Sequence, residues 1–403
     1  MKHPLRIVVL GYLVRCPLGG MAWHHLQYVA GLARLGHQVW FVEDSGDDPW
    51  AACYDPSRGT TDADPSYGLE FTRDAFELLG LPDCWAYFDA FESRWHGPRR
   101  EDIEAICAGA DVLINLSGSN PLRPWTAGIS RRVYLDTDPV FTQVRHLADE
   151  RRHRLAAGHN VFFTFGENIN RPGHGIPDDG FPWQPTRQPV VLDLWPQGSG
   201  RGDGRFTTVM QWDNSIQDVP RQFEGRRYGR KAESFSTYAD LPMRCDASFE
   251  IGLGGADAPR DRLANLGWIL RDPLEVTRDP STYREFLAAS LAEFSVAKEG
   301  YVTARSGWFS ERSAAYLASG RPVVVQDTGF TDWLDTDGGV LAFNNPDEAR
   351  AAVEDVTKRY EFHCRQARRV AACYFDSATV LRSLLDRVMG ADPVDVGRYS
   401  TAK

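Results

Sequence analysis

Residues 306–325 read SGWFSERSAAYLASGRPVVV. A glycine- and hydroxyl-rich turn opens a helix over 310–319. The helix stops at Gly320-Arg321-Pro322 and the chain runs straight into a valine strand over 323–325. The first N–H groups of such a helix lack intrahelical partners, and its tip carries partial positive charge. Ser310 there is either a plain N-cap or one of the groups that hold an anion. The choice rests on what the rest of the chain builds around the turn.

Working outward, the same strand–helix alternation recurs. Residues 7–10 form a short apolar strand, followed by a loop holding Pro17, Gly19 and Gly20. Residues 21–35 have near-helical apolar spacing, Gly36 stops them, and 39–42 is the next strand. This is a βαβ unit, which implies a parallel sheet. Further strands are expected at 112–116, 133–135 and 161–165, and residues 44–68 at the sheet edge read as a long loop. Between 166 and 204 the pattern dissolves under six prolines and a glycine-rich run, so the domain boundary belongs there. A second strand series follows at 206–210, 249–253, 268–270, 294–297 and 323–325. Helices are expected over 283–291, 349–360 and 361–389. The divisions are 1–190, 191–360, a closing helix at 361–390 and a tail at 391–403.

The bulk properties agree with two α/β domains. The chain has 403 residues, 42% hydrophobic and 12% aromatic, which is globular composition on a scale that needs more than one core. No apolar run is long enough to span a bilayer, and the start lacks a signal-peptide pattern, so no stable membrane insertion is expected. Seven cysteines without C-x-x-C spacing point to reduced thiols, a cytoplasmic setting and no zinc site. The formal net charge of −10 disfavours nucleic acid as a partner but permits a small anionic ligand at a local positive site.

Two motif regions carry a resemblance. Gly19-Gly20-Met21-Ala22-Trp23-His24, followed by Leu32-Ala33-Arg34-Leu35-Gly36-His37-Gln38-Val39, looks like a G-G-x-x-x-H opening with an L-A-x-L-G-H-x-V continuation. Ala318-Ser319-Gly320-Arg321-Pro322-Val323-Val324 looks like the A-x-G-x-P-V-V that ends a donor-binding helix. Together they resemble the GT-B glycosyltransferases that use nucleotide-diphosphate sugars, with family 4-like motifs. The resemblance implies two Rossmann-like domains with parallel sheets facing across a cleft. It also implies a donor in the C-terminal domain, an acceptor in the N-terminal domain, and no required metal or other cofactor. One departure stands out. Many retaining members carry a glutamate three residues before the alanine of the second motif, where this chain has Ala315, and the only nearby acid is Glu311, a turn earlier.

On that reading the helix tip binds diphosphate. Gly307 allows close backbone approach, Ser310 offers its hydroxyl and Arg312 pairs with phosphate oxygens, with Glu311 beside them. Lys298 and Arg305 are further cations, and Gly19 and Gly20 face the cleft from the other domain. His24 at the start of the first helix is a candidate general base, and the tip of the helix favours its neutral form. His25 points about 100° away around the helix. Asp136 and Asp138 leave a strand end and orient the histidine or bind sugar hydroxyls. Their D-x-D spacing also invites a metal, which the resemblance argues against. Asp327 and Thr328 leave the last valine strand toward the donor sugar. Gly166-Glu167-Asn168 is another polar strand end. Trp23, Trp50, Tyr54, Trp85, Tyr87, Trp95 and Trp125 crowd the N-terminal half, some of them facing the acceptor.

The expected activity is transfer of a sugar from a nucleotide-diphosphate donor to a hydroxyl or other nucleophile of a small-molecule acceptor. A nucleotide-sugar epimerase, or a sugar-binding protein without catalysis, are the alternatives on the same fold.

Overall fold

The computed structural model describes residues 3–47, 52–198, 200–212 and 222–390. Trp50 and the tail 391–403 lie outside the described residues.

The N-terminal sheet contains β1 (Arg6–Leu10), β2 (Gln38–Asp44), β3 (Trp85–Asp89), β4 (Arg94–His96), β5 (Val112–Leu116), β6 (Arg131–Asp136), β7 (Val161–Thr164) and β8 (Gln184–Pro185). Their spatial order is β8-β7-β6-β5-β1-β2-β3-β4. Only β3 and β4 pair antiparallel. β1 sits between β2 and β5, with Val8 opposite Trp40 and Leu113. Helices cover both faces, which is why Ile7, Val8 and Val9 are all fully buried and the strand shows no polar alternation.

The C-terminal sheet is wholly parallel. It contains β9 (Arg205–Gln211), β10 (Ser248–Gly254), β11 (Trp268–Arg271), β12 (Ala292–Ser295), β13 (Val323–Gln326) and β14 (Val340–Phe343), in the order β11-β10-β9-β12-β13-β14. Four helices matter for the site: α1 (Gly19–Arg34), α2 (Pro280–Ala289), α3 (Glu311–Ala318) and α4 (Ser377–Gly390).

Three expectations need correction. The region 44–68 holds a small hairpin, Cys53–Asp55 with Thr60–Asp62, and the start of a helix at Ser66, so it is not one long loop. Within the proline-rich stretch read as the domain boundary, Gln184 and Pro185 add a short strand that was not expected to the first sheet. The helix expected over 361–389 widens into a π turn at Ala371–Phe375 and breaks at Asp376. There Val190 N–H donates to the Phe375 carbonyl and Ser377 N–H donates to the Val190 carbonyl, so the break trades helical bonds for bonds to the connecting segment. Beyond it, α4 packs against α1, where a Cβ on Gly31 would lie 2.5 Å from Leu381. The chain thus crosses back to the first domain. Among the described residues no helix is long and apolar enough to cross a membrane.

Candidate active site

The carboxyl ends of β1, β9, β10 and β11 open into one cleft of about 1120 Å³, the place where open α/β sheets bind ligands. Tyr12, Gly20 and Met21 line it from the N-terminal domain, and Gly254, Glu311 and Arg312 from the C-terminal domain.

The tip of α1 forms one wall. No side chain caps it, since Leu18 occupies the N-cap position. Gly19 is small for a steric reason: a Cβ there would stand 2.2 Å from the Asp279 carbonyl oxygen. The two domains therefore meet backbone to backbone beside the cleft, and the Trp23 indole N–H donates to the Pro280 carbonyl at 2.7 Å.

The tip of α3 forms the facing wall, and its side chains are partly committed. Ser310 Oγ accepts from Arg312 N–H at 3.2 Å, so it is an N-cap as well as a cleft residue. Arg312 donates from Nε to Glu293 at 2.7 Å, from Nη1 to the Val209 carbonyl at 2.7 Å and from Nη2 to Ser295 Oγ at 2.7 Å. Three of its five N–H donors are thus used in holding β9 and β12 together, which leaves two for a ligand. Burial would lower its pKa, but the Glu293 carboxylate outweighs that and holds it above the ordinary value. Glu311 places a carboxylate in the first turn of this helix, facing the cleft.

His24 lies beneath Glu311, not in the cleft. It is buried, both ring nitrogens lack hydrogen-bond partners, and Nδ1 stands 3.9 Å from Glu311 Oε1. Burial lowers its pKa and Glu311 offsets that only in part, so it is neutral near pH 7. It borders a small hole of about 20 Å³ that Tyr28, Trp195, Glu311 and Ala315 also line. His25 is structural, with Nδ1 on the Met21 carbonyl at 2.8 Å and Nε2 accepting from Tyr12 N–H at 3.2 Å.

The two aspartates of the D-x-D diverge. Asp136 is fully buried and accepts from Thr164 Oγ1 at 2.7 Å and Gln143 Nε2 at 3.1 Å, within its own domain. Asp138 reaches across to the other domain, accepting from Lys298 Nζ at 2.8 Å and from the Tyr301 hydroxyl. Burial would raise its pKa, but Lys298 and Arg145 outweigh that and hold it below the usual carboxylate value.

The remaining candidates serve the loops behind the cleft. Arg305 pairs with Asp332 at 3.1 Å. Asp327 caps the turn at Phe330–Asp332, accepting from Gly329 N–H at 2.8 Å and Thr331 Oγ1 at 2.9 Å. Thr328 donates to the Trp308 carbonyl. Gly307 has φ of +74°, and a Cβ on it would meet Asn168 at 2.8 Å. Asn168 in turn donates from Nδ2 to the carbonyls of Arg305 (3.0 Å) and Gly329 (2.9 Å), so Gly166-Glu167-Asn168 is a domain clamp. Of the aromatics, Trp85 and Tyr87 are core and Tyr54 faces the cleft.

Two features escaped the sequence reading. Lys231 opens the helix Lys231–Ser236 and feels the charges of Arg312, Glu293, Lys298 and Glu311; burial first, then Arg312, pulls its pKa well down. Gly254, which ends β10, and Gly255-Ala256 after it line the cleft. The glycine run at that strand end was the available signal; nothing in the sequence marked Lys231. One group of described residues, Asp89, Glu92 and His96, has ligand atoms within 4.8 Å of one another, and none of the three lines the cleft.

No protein-family model matches the chain, and no curated protein matches it. Among solved structures it is similar to an alpha-glucosyltransferase in complex with UDP and a 13-mer DNA, at 12% identity and TM-score 0.58, covering 96% of this chain and 100% of that one. It is similar to Anabaena Alr3699/HepE in complex with UDP-glucose, at 10% identity and TM-score 0.56, with the same coverage. It is also similar to the sucrose-phosphate synthase of Thermosynechococcus elongatus, at 11% identity and TM-score 0.53, again over 96% of this chain and 100% of that one. The chain has the GT-B fold: two Rossmann-like domains whose parallel sheets face a common cleft.

Proposed function

We propose that the chain is a glycosyltransferase that moves a sugar from a nucleoside-diphosphate donor to a hydroxyl of a small-molecule acceptor. The observation that carries this reading is the pair of helix tips facing across the cleft. The uncapped start of α1 and the cationic start of α3 border space for a diphosphate, and Lys231 lies within electrostatic reach of Arg312 and Glu311.

Transfer breaks the bond between the anomeric carbon and the diphosphate oxygen, and that oxygen keeps the electron pair. The protein's part is to stabilise the charge that develops there. The free N–H groups of α1, the two unused donors of Arg312 and Lys231 do this. Burial, and then the charge of Arg312, hold the Lys231 pKa well below its ordinary value, and an arriving diphosphate favours its charged form. Glu311 takes the place of the carboxylate absent at Ala315. The two positions lie four residues apart, on one face of α3, and Glu311 accepts hydrogen bonds from donor hydroxyls. His24 acts through Glu311 as a positioning residue. Asp138, ionised, orients the acceptor hydroxyl from the N-terminal side. The closed domains exclude water that would otherwise hydrolyse the donor. The neighbours solved with UDP favour a uridine donor. Seven unpaired cysteines favour a cytoplasmic setting.

Thermal-shift titration with UDP, GDP, TDP and ADP tests this. One diphosphate should raise the melting temperature by mass action, and its sugar form should be consumed once an acceptor is supplied. If none of the four stabilises the protein, the proposal fails.

A further inference from the structure

We propose that the acceptor carries an anionic group, a phosphate or a carboxylate, which Arg145 and Arg152 hold in a second cavity. This inference rests on the glycosyltransferase reading and names the acceptor class for it.

The cavity has a volume of about 350 Å³ and lies at the carboxyl ends of β5 and β6, in the N-terminal domain. That is the size of a small polar ligand. Tyr12 lines both this cavity and the main cleft, so the two meet at its ring. Ser117, Ser119, Thr137 and Thr142 supply hydroxyls to the wall, which suits a polyol or sugar body better than an apolar one.

The charge in the wall is the deciding feature. Asp138 is the one carboxylate among the lining residues, and the Lys298 ammonium at 2.8 Å from its Oδ1 counters its charge while, among the described residues, Oδ2 stays open to a hydroxyl. His146 is pinned between Asp179, at 2.7 Å from Nδ1, and the Tyr134 hydroxyl. His159 is pinned by Asn115 and the Ala156 carbonyl, and burial pushes its pKa down to about 4, so it stays neutral. Two positive charges remain. Arg145 stands on the helix Phe141–Ala148 and Arg152 on the helix Glu150–Ala157. Among the described residues neither guanidinium has a hydrogen bond or ion pair; Arg152 is exposed, but Arg145 is half-buried, and the comparably sheltered Arg15, Arg123, Arg187 and Arg312 are each paired with an acid. A half-buried guanidinium without a partner forgoes strong charge-assisted hydrogen bonds, which an anion in the cavity would supply. The acceptor's anion would then sit at the far end of this cavity, with its hydroxyl toward Tyr12 and the donor.

The test is calorimetric binding of inorganic phosphate, a hexose 6-phosphate, a hexuronate and the neutral hexose, each to the parent protein, Arg145→Ala, Arg145→Lys and Arg152→Ala. UDP binding is the control in every protein. The expected result is that at least one anionic sugar binds about tenfold or more tighter than the neutral hexose, the scale of a charged hydrogen bond. Arg145→Ala should erase that preference and Arg145→Lys keep part of it, with UDP binding unchanged throughout. The two anionic sugars distinguish phosphate from carboxylate. Equal binding of neutral and anionic sugars, no binding of any anion, or a preference that survives both alanine variants would overturn the inference. Loss of the donor reading would look different: UDP would fail to bind the parent while the anion preference still followed Arg145.

Discussion

Arg312 and Arg145 both sit at the edge of the same ligand-binding region, each on a helix beside a strand end, and the fold uses them in opposite ways. Arg312 is clamped by Glu293, Val209 and Ser295, three groups on two adjacent strands. Arg145 makes no hydrogen bond or ion pair among the described residues, feels Asp138 only through space, and lines an open cavity. One is part of the architecture and lends its remaining donors to the cleft; the other acts on Asp138 only through its charge and keeps all its donors for a ligand. An arginine beside a cleft therefore says little until its partners are counted.

Removing the clamped arginine should have the largest effect. Arg312→Ala strands the Glu293 carboxylate in the core, and breaking such a pair typically costs about 3–5 kcal/mol. Denaturant unfolding should show that loss, and Arg312→Lys should recover only part of it. A drop below 1 kcal/mol, on the order of a surface pair, would contradict the clamp.

Acidification should come next. Burial lowers the pKa of His24, His25 and His159, the last to about 4. Between that value and the ordinary one the unfolded chain binds protons that the folded chain refuses. Stability is therefore full above about pH 6.5 and should fall as the pH drops toward 4, by roughly 1.4 kcal/mol per pH unit for each histidine fully in that window. Unfolding free energies at pH 7, 6 and 5 would show the slope, and His159→Gln should flatten it by one histidine's share.

Arg145→Ala should have the smallest effect, within about 0.5 kcal/mol of the parent in the same denaturant assay, as for an unpaired charge near the surface. A clear destabilisation would mean that this arginine too belongs to the fold, and the contrast with Arg312 would disappear.

The fold was largely legible from the chain. Runs such as Ile7-Val8-Val9 and Val323-Val324-Val325, each followed or preceded by a helix stopped at Gly36 or Gly320, announce parallel strands by apolar content and punctuation alone. The edge pair β3–β4 was not anticipated, because its aromatics do not alternate cleanly with polar residues. The site was legible only at the level of which loops reach the cleft. Ser310 and Glu311 do line it. His24, Asp136 and Asp327 sit behind it, because a strand or helix end fixes where the backbone emerges but not which way a short side chain turns. Lys231 follows a stretch with no apolar period, and only tertiary packing brings it beside Arg312.

The most direct measurement is UDP binding by calorimetry to the parent and to Lys231→Ala, in buffers of different ionisation enthalpy. The glycosyltransferase account predicts one UDP per chain, proton uptake on binding that appears as the pH rises through the lowered titration range of Lys231, and loss of both the uptake and at least about tenfold in affinity in the variant. The unliganded melting temperature should stay unchanged. UDP binding that is equally tight in the variant, or absent from the parent, would contradict it.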